Sequence, residues 1–246
     1  MLRFYLLVVM VVVPTASGSN ADIIDGFEDG DFTQNPTWTP GAYGFEEVAT
    51  DPLRPGNLVV KTHGTEGAHS GLATPVNQSW NGFSVEMEFL ADTTNFSPVL
   101  NVWTPGSYYI GVWLIGSGAN GLGLPDGTRW LIADNPENTP GWLSRDPNAP
   151  VVPFEPINEW WRIRLFHNPA DGLIHSDLHR VADNSLVSSR TYAPALPIPA
   201  GQIEMVGFGM EEVDWQYADN VRLSPEATTA LLSCLAGAVF FGRRRT

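Results

Sequence analysis

The chain has 246 residues, 13 of them basic and 27 acidic, for a net charge of −14. Such a field repels nucleic acid and anionic lipid, which sets nucleic acid aside as a partner, and it favours solubility and cation binding. A single cysteine, Cys234, leaves no internal disulfide, so an exported fold has to rest on its core, with a bound metal as the remaining aid.

The chain begins with a basic residue, Arg3, an apolar run from Phe4 to Val13, and a small, polar stretch to Ala21. Ser19-Asn20-Ala21 fits the small-x-small cleavage rule, so residues 1–21 read as a secretory signal peptide. Ten apolar residues are too few to cross a bilayer. Residues 22–224 then form one domain of a larger β type, or at most two small ones, with ample chain to bury a core. Without Arg3, Arg243, Arg244, Arg245 and Glu226, 13 basic and 27 acidic residues become nine and 26, a net charge near −17.

Gly and Pro, 24 and 20 residues, interrupt every candidate helix. Short apolar or alternating runs between turn residues predict an all-β fold, a two-sheet antiparallel β-sandwich. Strands are expected at 57–62, 82–90, 98–103, 108–115, 128–133, 160–167, 173–180, 185–191, 203–210 and 215–223. The pattern is strictest in Trp161-Arg162-Ile163-Arg164-Leu165, with apolar residues facing the core and arginines facing out. Asn168 to Gly172 follows as a tight hairpin turn. Residues 134–156 hold six prolines and read as a large surface loop, a type more often functional or mobile than idle.

The end of the chain has three parts in order: Pro225-Glu226, an apolar run from Ala230 to Gly242, and Arg243-Arg244-Arg245. The order resembles the PEP-CTERM sorting signal of Gram-negative bacteria, with Ala227 where a second proline is common. The resemblance implies an exosortase as sorting protease, transient inner-membrane contact and release or display at the cell surface or in the extracellular matrix. The apolar run is short of a full span, and the arginines would stay cytoplasmic. An uncut C-terminal anchor is the alternative.

Three further stretches carry a second resemblance. Gly26-Phe27-Glu28-Asp29-Gly30-Asp31-Phe32 with Pro36-Thr37-Trp38 resembles the opening strand of exported bacterial jelly-roll domains, and Tyr217 to Leu223 resembles their closing strand. Glu159 to Leu165 and the hairpin after it are similar to concanavalin A-like, laminin-G-like domains. The resemblance implies two antiparallel sheets with first and last strands adjacent, and a structural Ca²⁺ held by Glu28 and Asp219, completed by Asp29, Asp31 or a carbonyl. The alternative is that Asp29-Gly30-Asp31 forms an exposed turn and Asp219 caps a strand.

Nine tryptophans point to sugar stacking. Trp103, Trp113 and Trp161 are expected in the core, and Tyr109, Trp130 and Trp142 at the surface as carbohydrate-binding rings. Glu86 and Glu88 share a strand face, the placement a retaining glycosidase needs, without its full motif. His175, Asp177 and His179 share another face and could ligate zinc. No nucleophile elbow, zincin motif, dinucleotide fingerprint or P-loop occurs. The expectation is a non-enzymatic exported protein that binds extracellular polysaccharide or a surface glycan. The alternatives are a structural or adhesion protein that contacts proteins, and a glycoside hydrolase.

Overall fold

In the computed structural model the described residues are 23–34, 36–40, 44–64, 70–78, 82–104, 108–118, 127–135, 151–152, 156–194, 198, 203–210 and 216–225. They form strands only: β1 (Ile23–Asp25), β2 (Thr39–Pro40), β3 (Gly44–Thr50), β4 (Leu58–Gly64), β5 (Ser70–Gln78), β6 (Phe83–Ala91), β7 (Pro98–Thr104), β8 (Tyr108–Ile115), β9 (Arg129–Asn135), β10 (Trp161–Asn168), β11 (Leu173–Arg180), β12 (Leu186–Tyr192), β13 (Ile203–Met210) and β14 (Gln216–Pro225). The β-sandwich expected from the turn spacing is the observed architecture.

The larger sheet runs β12-β11-β10-β6-β14-β4-β3, with β1 added against β14. The smaller runs β2-β5-β13-β7-β8-β9. Ile23 lies opposite Leu223 and Asp25 opposite Val221, so the first and last strands are neighbours, as the resemblance implies.

Alternation decides what each sheet buries. Val85, Met87 and Phe89 of β6, Trp161, Ile163 and Leu165 of β10 and Ile174 and Leu178 of β11 face the smaller sheet. Leu100 and Val102 of β7, Ile110, Val112 and Leu114 of β8, and Trp130 and Ile132 of β9 meet them from the other side. At the open end of β12 the sandwich is closed by polar contacts: the Tyr192 hydroxyl donates to Asp134 Oδ1 at 2.7 Å, and Arg190 donates to the Trp130 carbonyl.

The opening motif is a turn rather than a strand. Strand β1 ends at Asp25, and Gly30 N–H then donates to the Phe27 carbonyl at 3.0 Å. Phe27 and Trp38, 1% and 2% exposed, pack at a centroid distance of 6.3 Å and close one end of the core. Four strands that composition did not announce, β1, β2, β3 and β5, complete the sheets. Within 134–156, residues 134 and 135 still belong to β9, Val151 bridges Arg129, and most of the rest lies outside the described residues.

Candidate functional site

The two outer faces differ in chemistry. The outer face of the larger sheet carries Glu86 and Glu88 of β6, Arg162 and Arg164 of β10, Asp177 of β11, and Asp219 and Arg222 of β14. These charges pair with one another: Arg162 Nη2 reaches Glu88 Oε1 at 3.2 Å, and Arg222 Nη1 lies 3.9 Å from Glu86. Glu86 and Glu88 therefore share a face, as the sequence predicts, but each sits against arginine.

At one end of this face the segment from Asp51 to Asn57, joining β3 to β4, folds over a small apolar cluster of Val59, Leu90 and Trp160. Asp51 Oδ1 accepts the backbone N–H groups of Leu53 and Arg54 at 2.8 and 3.0 Å and the Trp160 indole at 3.3 Å. Arg54 lies over the Trp160 ring, 4.1 Å from its centroid. Its Nε reaches Asp51 at 2.5 Å, Nη1 reaches Glu88 at 3.1 Å and Nη2 reaches Asp219 at 2.5 Å. Asn57 Nδ2 adds a bond to Asp219 Oδ2 at 3.0 Å, and Asn220 donates to Glu88 at 3.0 Å and through its backbone to Asp219 Oδ1 at 2.7 Å. Burial pushes Asp51 up, but its bonds from Arg54 and the backbone outweigh this and hold its carboxyl below the usual range. Asp219 ends above its usual range, because burial there exceeds the pull of Asn57 and Arg54.

The four acids assigned to calcium by resemblance do not share one environment. Glu28 and Asp29 are exposed, and Asp29 and Asp31 accept the backbone N–H groups of Asp31 and Thr33 at 3.0 and 2.6 Å. This is the exposed Asx turn read as the alternative. The Gly26–Glu28 turn does lie beside Asp219, since a Cβ on Gly26 would fall 3.9 Å from Asp219 Oδ1 and 3.8 Å from Glu28 Cγ. Asp219 Oδ2, however, is taken by a guanidinium and an amide. Calcium needs six to eight oxygens, and among the described residues no group of three acids, histidines or cysteines is arranged to hold a metal ion. The residues do not fit the ion. His175, Asp177 and His179 likewise form no such group; His175 instead pairs with Asp171 at 3.0 Å and stacks on Phe166 at 4.8 Å. The buried acid that matters near the opening motif is Asp25, which accepts from Phe27 N–H at 2.8 Å and Trp38 Nε1 at 2.6 Å. No sequence signal marked it except its place two residues before the buried Phe27.

The outer face of the smaller sheet is nearly free of charge. In register across β13, β7 and β8 lie Gly207, Asn101 and Gly111, and the next row toward the β7–β8 turn pairs Trp103 with Tyr109. Among the described side chains of this face the only charged one is Arg129, at the far end of β9. Glycine sits where flat groups need the space. A Cβ on Gly207 would come within 2.8 Å of the Trp103 ring, and one on Gly111 within 2.1 Å of Asn101 Oδ1 and 2.2 Å of the Trp113 ring. Trp103 is half-buried and lies on Gly207, with Tyr109 at a centroid distance of 6.1 Å. Asn101 Oδ1 is enclosed and accepts no hydrogen bond among the described residues.

This reverses part of the aromatic assignment. Trp130, expected at the surface, is fully buried between the sheets, and Tyr109 is only 8% exposed. Trp103, expected in the core, is the ring that reaches solvent, and Trp161 is in the core as expected, while Trp113 is buried on the outer face over Gly111 and not between the sheets. Trp130 shares the parity of Ile132, which points inward, whereas Trp103 and Tyr109 share the parity of Asn101, which points out. Trp142 lies outside the described residues, as do Glu226, Arg243, Arg244 and Arg245; Pro225 ends β14 opposite Phe83.

No protein-family model matches the chain, and no curated protein does. Solved structures do. The Ca²⁺-bound exoplasmic/lumenal domain of VIP36 aligns with a TM-score of 0.57 at 8% identity, over 84% of this chain and 90% of that one. Its Ca²⁺/Man3GlcNAc-bound form aligns at 0.56, also at 8% identity, over 84% and 89%. A Bacillus subtilis protein of unknown function with a galectin-like fold aligns at 0.50 and 10% identity, over 86% and 99%. At these identities the likeness is one of fold, and the fold is the lectin-type β-sandwich of concanavalin A-like and galectin-like proteins.

Proposed function

We propose that this protein is a non-enzymatic glycan-binding module whose site is the outer face of the smaller sheet, and that its ligand is an uncharged polysaccharide or surface glycan. The observation that carries the reading is Trp103, a partly exposed indole whose ring lies over Gly207 with Tyr109 beside it. A sugar ring stacks its C–H face on such a plane. A face with no described acid and one distant arginine suits a neutral ligand, because a polyanion would meet the net charge of −14 with little local compensation. The match to a domain crystallised with Man3GlcNAc supports a sugar over other flat ligands. A hydrolase is disfavoured because Glu88 is held by two arginines and Glu86 faces a third.

The two ends of the sequence support export, with removal of residues 1–21 and recognition of the Pro225-Glu226 tail by an exosortase at the inner membrane. The module would then act at the cell surface or in the extracellular matrix. Intact-mass measurement on protein recovered from the cell surface tests this. A mass that retains both ends overturns it.

The binding test is electrophoresis of the protein through native gels cast with neutral and anionic polysaccharides. Retardation by a neutral glycan, lost in Trp103→Ala, is the expected result. Equal mobility in every gel overturns the reading and favours the adhesion alternative, for which Leu186 and Val187, 57% and 37% exposed on the edge strand β12, are the supporting observation.

A further inference from the structure

We propose that Arg54 is the resident cation of this sandwich: its guanidinium, tied at once to Asp51, Glu88 and Asp219, does the work that the resemblance gives to calcium, so the fold needs no metal at this place. Three carboxylates from three parts of the chain meet here: Asp51 before β4, Glu88 on β6 and Asp219 on β14. They are 2%, 6% and 1% exposed. Acids enclosed this far repel one another and lose hydration unless a cation is supplied. A divalent ion would supply it from solution. The chain supplies it covalently, with one nitrogen of Arg54 for each carboxylate and the Trp160 ring beneath the guanidinium plane.

The geometry is built for a fork and not for a sphere. Nε, Nη1 and Nη2 point in three directions in one plane, and each finds a carboxylate of its own. The segment that carries Arg54 is itself held by Asp51, which fixes the Arg54 backbone N–H, and by Asn57, whose carbonyl accepts from Asp51 N–H at 2.9 Å. The Arg54 side chain retains 34% exposure, so it closes the cluster from the solvent side, where an ion would otherwise enter. Every carboxylate of the set is thereby satisfied without a ligand.

Thermal unfolding of the full chain tests this, first in chelator and in millimolar calcium, then for Arg54→Met, Asp219→Asn and the double variant. The wild type is expected to melt at the same temperature in both solutions. Arg54→Met keeps an apolar stem over Trp160 but removes the charge, and its melting temperature should fall by roughly 4–10 °C. Asp219→Asn alone should also lower it, while the double variant should melt well above the sum of the two losses, because removing an acid relieves the missing cation. A wild type that loses stability in chelator overturns the proposal, and so do single losses that add in the double variant. Should Arg54→Met not fold, Arg54→Lys replaces it in the same cycle, and the chelator comparison on the wild type decides without either.

Discussion

The indole of Trp38 donates to Asp25 across thirteen residues of chain, at 2.6 Å, and both groups are buried. The bond joins the last residue of β1 to the ring that covers Phe27, so it fixes the first turn of the domain to the core. Asp25→Ala leaves two donors, Phe27 N–H and Trp38 Nε1, without an acceptor. It should cost about 1–3 kcal/mol in chemical denaturation, the range for an unsatisfied buried group.

The same carboxyl makes a pH prediction. Burial raises Asp25 above its ordinary value, against the pull of Phe27 and Trp38. A raised folded value means that its contribution is fully present below the unfolded value near 4 and is lost as pH rises through the folded one. Asp25→Asn cannot titrate. The stability gap between wild type and Asp25→Asn should therefore narrow as pH rises from the acid range to neutrality, and a gap that widens would contradict the assignment.

The two tryptophans whose placement the sequence reversed separate stability from binding. Trp130→Ala empties a fully buried site and should cost roughly 3–5 kcal/mol. Trp103→Ala should cost less, roughly 1–3 kcal/mol, since the ring is partly exposed, yet abolish glycan retardation. Denaturant midpoints read beside the gels distinguish the two.

Gly207→Ala probes the platform without touching a ring. Its Cβ would lie 2.8 Å from Trp103 and 3.2 Å from the Leu72 carbonyl, so the indole must lift or the strand must shift. Overpacking of this kind costs roughly 1–3 kcal/mol. Weaker glycan retardation with the fold intact is the expected outcome, visible as unchanged far-ultraviolet circular dichroism beside restored mobility.

Glu88→Ala removes the acid shared by Arg54, Arg162 and Asn220. Both arginines reach solvent, so the loss should stay at about 1–3 kcal/mol and below that of a fully enclosed pair. Glycan retardation should be untouched, because the two outer faces are opposite sides of the sandwich.

Strands with a clear period or a continuous apolar run were legible. β8, β11 and β13 match their expected limits residue for residue, and β10 differs by one at each end. β1 and β2 are three and two residues long and exist only through their partners, so no local signal can announce them. β3 puts Glu46 beside Glu47, which breaks the alternation. β5 hides behind Gly71 and Pro75, although Leu72, Thr74 and Val76 alternate inward. Proline is tolerated there because β2 pairs only with Leu72 and Ala73, leaving that side of Pro75 without a strand partner among the described residues.

The site was less legible for a related reason. β9 is apolar on both faces at Trp130, Leu131 and Ile132, so its sequence does not say which face turns inward, whereas on β7 the polar Asn101 shares the parity of Trp103 and marks that ring as outward. The charge network was hidden further, since Arg54 meets Asp219 across 165 residues and no spacing rule connects them. The adjacency of the first and last strands came only from resemblance.

That adjacency has a mechanical consequence. Because β1 runs antiparallel to β14 with Ile23 opposite Leu223, the chain enters and leaves the domain side by side. A load applied between residues 23 and 225 acts across the ladder and opens its three registered pairs one after another, as a zipper, instead of shearing them together. Yielding at this seam is thus stepwise and begins at low force, while the edge farthest from it, β12, carries none of the initial strain.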